Sequence, residues 1–234
     1  MVKNMRRGLL AGLFRRSVKI LLLLVLFSLL EVLTFRFINP PTTMPVIVTR
    51  IQNLFLSADE ELVVPKGEWR PIKNISPNLV RAVMAAEDQR FMTHSGFDYQ
   101  ELNKTVKDMV KRKRFRGAST ITMQMARSVF LWKGMDIIRK LLEAYYTVLI
   151  EAVMPKARIM ELYLNSVDWG NGVIGAEAAS KKYFHKSASR LTAEEAALMA
   201  AILPNPHRWS PVRPSRYILA RQRGILKSMK MMHM

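Results

Sequence analysis

The sixteen-residue run ILLLLVLFSLLEVLTF, Ile20 to Phe35, constrains this chain more than any other stretch. Arg36, Phe37 and Ile38 extend it to nineteen residues, within the roughly 17–25 that a helix needs to cross hydrocarbon. Lys19 and Arg36 flank it, and their long side chains can snorkel to the two interfaces. Lys3, Arg6, Arg7, Arg15, Arg16 and Lys19 precede or border it with no acid among them, and only Arg36 follows closely. That asymmetry predicts a cytoplasmic N-terminus. Residues 1–19 then form a basic cytoplasmic tail and 20–38 a transmembrane signal anchor. A cleaved signal peptide fits less well, because bulky Phe35-Arg36-Phe37 follows where a small-x-small site is needed. Glu31 is the awkward residue, since a carboxylate in hydrocarbon is costly. It lies near the far end of the span, where it can reach the headgroups, take up a proton or pair with a partner helix.

The 234 residues leave room for one domain of ordinary size with a real core. Lys and Arg number 37 against 18 Asp and Glu, a net charge of +19. Such an excess points to an anionic partner and does not by itself choose among nucleic acid, anionic lipid and a phosphate-bearing substrate. The absence of cysteine excludes disulfides, thiolate metal sites and a Cys nucleophile.

Beyond the anchor, Pro40, Pro41 and Pro45 stiffen the exit, and 39–65 reads as linker and membrane-proximal segment. Val46 to Leu56 suits a short strand or an amphipathic piece at the membrane surface. Pro65 to Pro77 reads as loop around Trp69. Helices are expected from Asn78 to near Phe91, with Leu79, Val80, Val83 and Met84 as its stripe, and from Asp98 to Arg112, with Leu102, Val106, Met109 and Val110 inward. Another runs to Leu131 from a Ser119 or Thr120 cap. Ile137, Ile138, Leu141, Leu142, Tyr145, Val148 and Leu149 make a long helical stripe broken at Pro155. Ala157–Leu164 and Ala176–Phe184 are also helical, separated by a loop holding Gly170, Gly172 and Gly175. Thr192-Ala193-Glu194-Glu195 matches a capping box for a helix through Leu203. The domain is set at 66–214, with a basic C-terminal helix and tail over 215–234. The fold class is mainly α.

Three groups of residues could carry chemistry. Glu87 and Asp88 end a helical stripe beside small residues, Ala85 and Ala86, that leave space for a ligand; Arg90 and His94 follow. A solvated helix face explains a lone Glu equally well. Ser119 and Thr120, with Gln124 and Arg127 beyond, can offer N–H and O–H groups to phosphate oxygens or simply cap a helix. Arg139 and Glu143, four apart, suit an intrahelical ion pair. Arg127, Arg139 and Lys140 together would also clamp a pyrophosphate. Two carboxylates and a cationic clamp suggest glycosyl transfer from a phosphate leaving group.

The chain resembles the peptidoglycan glycosyltransferases of bacteria, of the monofunctional biosynthetic type. The resemblance rests on five motifs in order: Glu87-Asp88-x-Arg90-Phe91-x-x-His94-x-Gly96; Gly117-x-Ser119-Thr120-Ile121-Thr122-x-Gln124; Arg139-Lys140-x-x-Glu143; Arg158-Ile159-x-Glu161-x-Tyr163-Leu164-Asn165; and Leu191-Thr192-x-x-Glu195-Ala196-Ala197, leading to Pro204-Asn205-Pro206. It implies a lysozyme-like fold with a large helical lobe and a smaller membrane-proximal one. It implies polymerisation of lipid II, the lipid-linked disaccharide–pentapeptide, into β-1,4 glycan. Glu87 would be general base on the acceptor hydroxyl, and Glu143 a second essential carboxylate near the donor pyrophosphate. Arg127, Arg139 and Lys140 would bind that pyrophosphate, Ser119, Thr120 and Gln124 would line the donor side, and Arg90 and His94 would shape the cleft. Magnesium or manganese assists some members, and this sequence has no dedicated metal cage.

Three positions depart from the family's pattern. Met123 stands where a first Gln is common, Arg127 where Lys is common, and His185, expected as a surface or turn residue, where Gly is common. Glu161 is expected to buttress the fold, and Glu151 and Glu195 to cap or be solvated. No Ser-x-x-Lys or Lys-Thr-Gly of a penicillin-binding domain follows, so no transpeptidase activity is expected. The implied partners are lipid II, the growing lipid-linked strand, the membrane and other cell-wall or division proteins, with no nucleic acid. The implied place is the inner membrane, single-pass, with the domain on its outer face. A glycan-cleaving enzyme and a non-catalytic membrane scaffold are the alternatives.

Overall fold

The computed structural model describes residues 2–57, 62, 64, 66–112, 119–132, 134, 136–170 and 172–232. Gly117 and the basic run Lys113-Arg114-Phe115-Arg116 lie outside them, as do His233 and Met234. The chain forms two units, Met1–Asn39 and Pro40–Met234.

The first unit is one helix, α1 (Val2–Phe37). Its stretch Gly12–Phe37, 26 residues, is the one segment among the described residues long and apolar enough to cross a membrane. At 1.5 Å per residue it spans about 39 Å, more than the ~30 Å of hydrocarbon. The basic tail thus continues the anchor's helix. Pro40 and Pro41 follow the helix end, as chain geometry requires.

The second unit is mainly helical: α2 (Met44–Asn53), α3 (Pro77–Glu87), α4 (Tyr99–Arg112), α5 (Ile121–Phe130), α6 (Ile137–Val153), α7 (Lys156–Ser166), α8 (Ala176–Phe184), α9 (Ala193–Ile202) and α10 (Arg216–Met231). Two short strands, β1 (Lys66–Gly67) and β2 (Val173–Ile174), pair in parallel, Lys66 opposite Val173. The helices gather in two groups. In one, α9 packs against α3 and α10, and α10 against α3. Ala196, Ala197, Met199, Ala200, Ala201 and Ile202 of α9 are all buried. Beyond its acidic first turn α9 is apolar on every side, as a core element is, and its alanines let the neighbouring backbones come close. In the other group α5 packs against α6, α7 and α2.

Helix ends are set by named side chains. Ser76 caps α3, accepting from Asn78 N at 3.3 Å, with Pro77 at the first turn. Thr192 and Glu195 complete the expected capping box of α9. His185 ends α8 in the left-handed conformation (φ 55°), a turn residue as expected. Glu161 accepts from Ile72 N at 2.7 Å, and Asn165 accepts from Arg70 N and donates to Arg70 O, both at 2.8 Å. These two residues of α7 hold the loop that carries Trp69, whose ring lies under the Arg158 guanidinium.

Of the two readings of 46–56 the strand is not formed: the segment is helical over most of its length, with Pro45 in the first turn of α2. Three expectations change. Helix α3 stops at Glu87, short of Phe91, because Asp88 leaves helical backbone (φ −161°, ψ 80°). Leu102 is 45% exposed, since α4 is turned to bury Thr105; the side chains of Val106, Met109 and Val110 lie outside the described residues. Glu151 is not solvated: it accepts from Thr122 Oγ1 at 2.5 Å and pairs with Lys156 at 2.8 Å.

The long stripe on α6 faces outward. Ile137, Ile138, Leu141 and Val148 are 57–80% exposed, while Arg139, Glu143 and Thr147 are buried. The polar face turns inward because Glu143 and Glu151 find their partners there, and a buried charge is tolerable only when paired.

Gly170 meets the segment after α9. A Cβ on Gly170, whose φ is +90°, would lie 2.1 Å from Pro206 O. Gly170→Ala should therefore destabilise the second unit by about 2 kcal/mol or more, read as a lower thermal midpoint of the detergent-solubilised chain.

Candidate active site

Glu87 is the last residue of α3. Its carboxylate is partly open, and it sits at the negative end of the helix dipole. Its Oε2 accepts from Gln124 Nε2 at 2.9 Å. Burial pushes its pKa above the ordinary 4.5; the Gln124 hydrogen bond and the charges of Arg221 and Arg127 pull it back, and Asp88 raises it. A carboxylate raised toward neutrality is a better proton acceptor. The Gln124 carbonyl in turn accepts from Tyr163 Oη at 3.1 Å.

Asp88 fixes the surroundings. Its Oδ2 accepts from Ile121 N, the first residue of α5, at 3.0 Å, and its two oxygens lie 2.9 and 3.0 Å from His94 Nε2. His94 Nδ1 accepts from Gly96 N at 3.1 Å, so both ring nitrogens are used in bracing the loop. Thr120 is buried; it caps α5 through Met123 N and donates to Gly96 O at 2.6 Å. Arg90 Nε donates to Asp98 Oδ2 at 2.9 Å, and Asp98 Oδ1 accepts from Glu101 N at the start of α4. Lys156 donates to His94 O at 2.6 Å and lies over the Phe91 ring. Thus Arg90, His94 and Thr120 are occupied in holding the loop after α3 against α4, α5 and α7.

A second cluster forms around Glu143, whose side chain is wholly buried. Arg139 Nη1 lies 2.9 Å from its Oε2, Lys140 Nζ 3.3 Å and Arg127 Nη1 3.8 Å from its Oε1. Lys140 also donates to Ser119 Oγ at 3.2 Å. The intrahelical pair read from the 139/143 spacing is present, and so is the gathering of Arg127, Arg139 and Lys140. Three cations against one carboxylate leave an excess of two positive charges. Arg127 and Lys140 remain 42% and 48% exposed, so that excess is open to an anion. Arg139 Nε is buried without a hydrogen-bond partner. Among the described residues no three His, Cys, Asp or Glu side chains come together where a metal ion could sit.

The two clusters meet on α5. Gln124 touches Glu87, and Arg127, three residues later and so on nearly the same face, touches Glu143. Sequence reasoning grouped Asp88 with Glu87 and gave no site role to Tyr163, Lys156 or Arg221. Asp88 and Tyr163 lie within the quoted motifs, whereas nothing in the spacing ties Arg221 or Lys156 to Glu87 or His94.

The second unit, mainly helical and following one apolar helix in the chain, thus carries along α5 a carboxylate of raised pKa and a cluster with excess positive charge. A family model described as Transglycosylase matches residues 57–230. The biosynthetic peptidoglycan transglycosylase of Bdellovibrio bacteriovorus is 47% identical over 209 residues, 89% of this chain and 82% of that protein. The protein of the same name from Caulobacter vibrioides is 40% identical over 227 residues, 97% and 92%. That of Shewanella oneidensis is 44% identical over 212 residues, 91% and 89%. The chain belongs to the transglycosylase family, and its second unit is that family's lysozyme-like helical domain.

Two outcomes follow for stability. Because Glu87 binds its proton more tightly folded than unfolded, its contribution is most favourable below the unfolded value and is lost as pH rises through the folded one. Glu87→Gln should therefore be more stable than the parent at pH 8, with the gap shrinking toward pH 4, as read by thermal unfolding across pH. Glu143→Gln leaves Arg139 buried without its partner and should cost about 3 kcal/mol. Arg139→Met should cost a similar amount, and the double variant clearly less than the sum in denaturant unfolding.

Proposed function

We propose that this protein polymerises lipid II into β-1,4 glycan strands of peptidoglycan, as a single-pass inner-membrane enzyme with its domain on the outer face. The observation that carries this reading is the juxtaposition on α5 of a base and an anion site: Gln124 bonded to Glu87, and Arg127 beside the Glu143 cluster. In the proposed step the ionised Glu87 takes the proton of the acceptor sugar's 4-hydroxyl. That oxygen attacks C1 of the lipid-linked donor from the face opposite the leaving group. The C1–O bond to phosphate breaks, and undecaprenyl pyrophosphate leaves with the electron pair, so C1 is inverted. Arg127 and Lys140 would neutralise the charge growing on the pyrophosphate, while Arg139 and Glu143 hold them in place. Ser119, through Lys140, belongs to the same side.

Surface chemistry supports a membrane-bound substrate. Ile47, Ile51, Leu54 and Phe55 on and after α2 are exposed, as are Ile137, Ile138, Leu141 and Val148 of α6, and both helices pack on α5. Apolar faces of this kind, in a strongly basic chain, suit an anionic lipid interface.

The test supplies the purified full-length chain with lipid II and, separately, with preformed glycan. Growth of β-1,4 glycan from lipid II is the expected result; cleavage of preformed glycan with no use of lipid II would overturn the reading in favour of a lytic enzyme. Glu87→Gln should lower polymerisation by roughly a hundred- to ten-thousandfold while the protein stays folded and vesicle-bound.

A further inference from the structure

Tyr163 sits in the middle of α7 and is fully buried. Its hydroxyl reaches one side-chain group, the carbonyl of Gln124, at 3.1 Å. An amide has two unlike ends. Here the N–H end donates to Glu87 Oε2 at 2.9 Å. Turned over, the same amide would set its carbonyl against an ionised carboxylate. From these contacts we infer that Tyr163 is a positioning residue for the base: its hydroxyl fixes the Gln124 amide with the N–H end toward Glu87. The inference rests on the reading of Glu87 as base.

The arrangement is built to be rigid. Helix α7 packs on α5, and Tyr163 is fully buried, so its ring and hydroxyl are held in place beside the part-buried Gln124. Burial and the negative charge of Glu87 push the Tyr163 pKa far up, which keeps the phenol protonated and able to donate. The charged groups that act on Glu87 are Arg127 on α5, Arg221 on α10 and its neighbour Asp88. None of these charges is removed with the Tyr163 hydroxyl, and the hydrogen bonds through Gln124 are the route by which that substitution would reach Glu87. A buried tyrosine that merely satisfies its own hydroxyl would cost stability on removal and leave that titration alone.

Tyr163→Phe keeps the ring and removes one oxygen. A loosened Gln124 N–H no longer favours the ionised carboxylate, so the acid limb of the pH–rate profile should move up by about one pH unit. At neutral pH, kcat should fall roughly three- to tenfold, with KM for lipid II within about twofold. Gln124→Leu should give the same displacement, and adding Tyr163→Phe to it should move the limb no further. The carboxyl titration of Glu87, followed by isotope-edited infrared spectroscopy of the substrate-free full chain, should shift in parallel. Should the Phe variant not fold, 3-fluorotyrosine at 163 keeps the hydroxyl, strengthens its donation and should move the titration down. An unmoved Glu87 titration in these variants, or a shift that adds to that of Gln124→Leu, overturns the inference. An active Glu87→Gln enzyme would overturn the base reading instead, and the spectroscopic titration still decides the Tyr163 contact in that case.

Discussion

The buried carboxylate of Asp88 sets the register of the whole site. It draws the chain out of α3 after Glu87, accepts from the first amide of α5 and holds His94. A carboxylate at a helix N-terminus is favoured by the orphan N–H groups and the dipole, whereas Glu87, one residue earlier, sits at a helix C-terminus where negative charge is disfavoured. Adjacent acids thus face opposite ends of two helices. One stabilises the structure, and the other, which burial above all pushes toward protonation, suits the base role proposed for it. The same contact places the first turn of α5 beside the end of α3, and that brings Gln124 within reach of Glu87.

The Glu143 cluster follows a different logic. Burying a carboxylate and a guanidinium is expensive, and the direct pair repays the cost only with good geometry. Arg139 and Glu143 supply that pair, and the half-exposed Arg127 and Lys140 add charge that solvent still reaches. The buried pair is scaffold, and the two outer cations carry the open charge. Glu151 repeats the pattern two turns later on α6, tied to Thr122 of α5 and Lys156 of α7. Helix α6 is thereby fastened to α5 and α7 by polar contacts, and its apolar side is released to the surface.

That inversion explains where the sequence was legible and where it was not. Local signals held: the capping box at Thr192, the turn at His185, the ion pair at 139 and 143, and the mainly helical class. The stripe from Ile137 to Leu149 marked a helix correctly, but periodicity reports only that one face is apolar and not what covers it. In a soluble domain that face would be core. The helix α3 boundary was missed because an Asp that caps a distant helix carries no local stop signal. Within the site, Glu87, Gln124, Arg127, Arg139, Lys140 and Glu143 came together from motifs far apart in the chain. The charge of Arg221 acts on Glu87 from α10, an influence that depends on α10 packing against α3, and no spacing in the sequence encodes it.

Two solvents account for the remaining oddities of the second unit. A protein working wholly in water would bury Ile137, Ile138, Leu141 and Val148 and expose Arg139 and Glu143. Here the apolar groups are outside and the charged pair inside. Each choice costs free energy in water: roughly 1.5–3 kcal/mol of forgone burial for each large apolar side chain, and the desolvation of the ions besides. A lipid surface against the apolar face would recover the first cost, and an anionic ligand on Arg127 and Lys140 would use the charge secured by the second. The proposed substrate, a pyrophosphate at the end of a lipid chain, would meet both at once. The helix that looks misfolded by soluble-protein rules is therefore the element that best matches the proposed substrate's two-part chemistry.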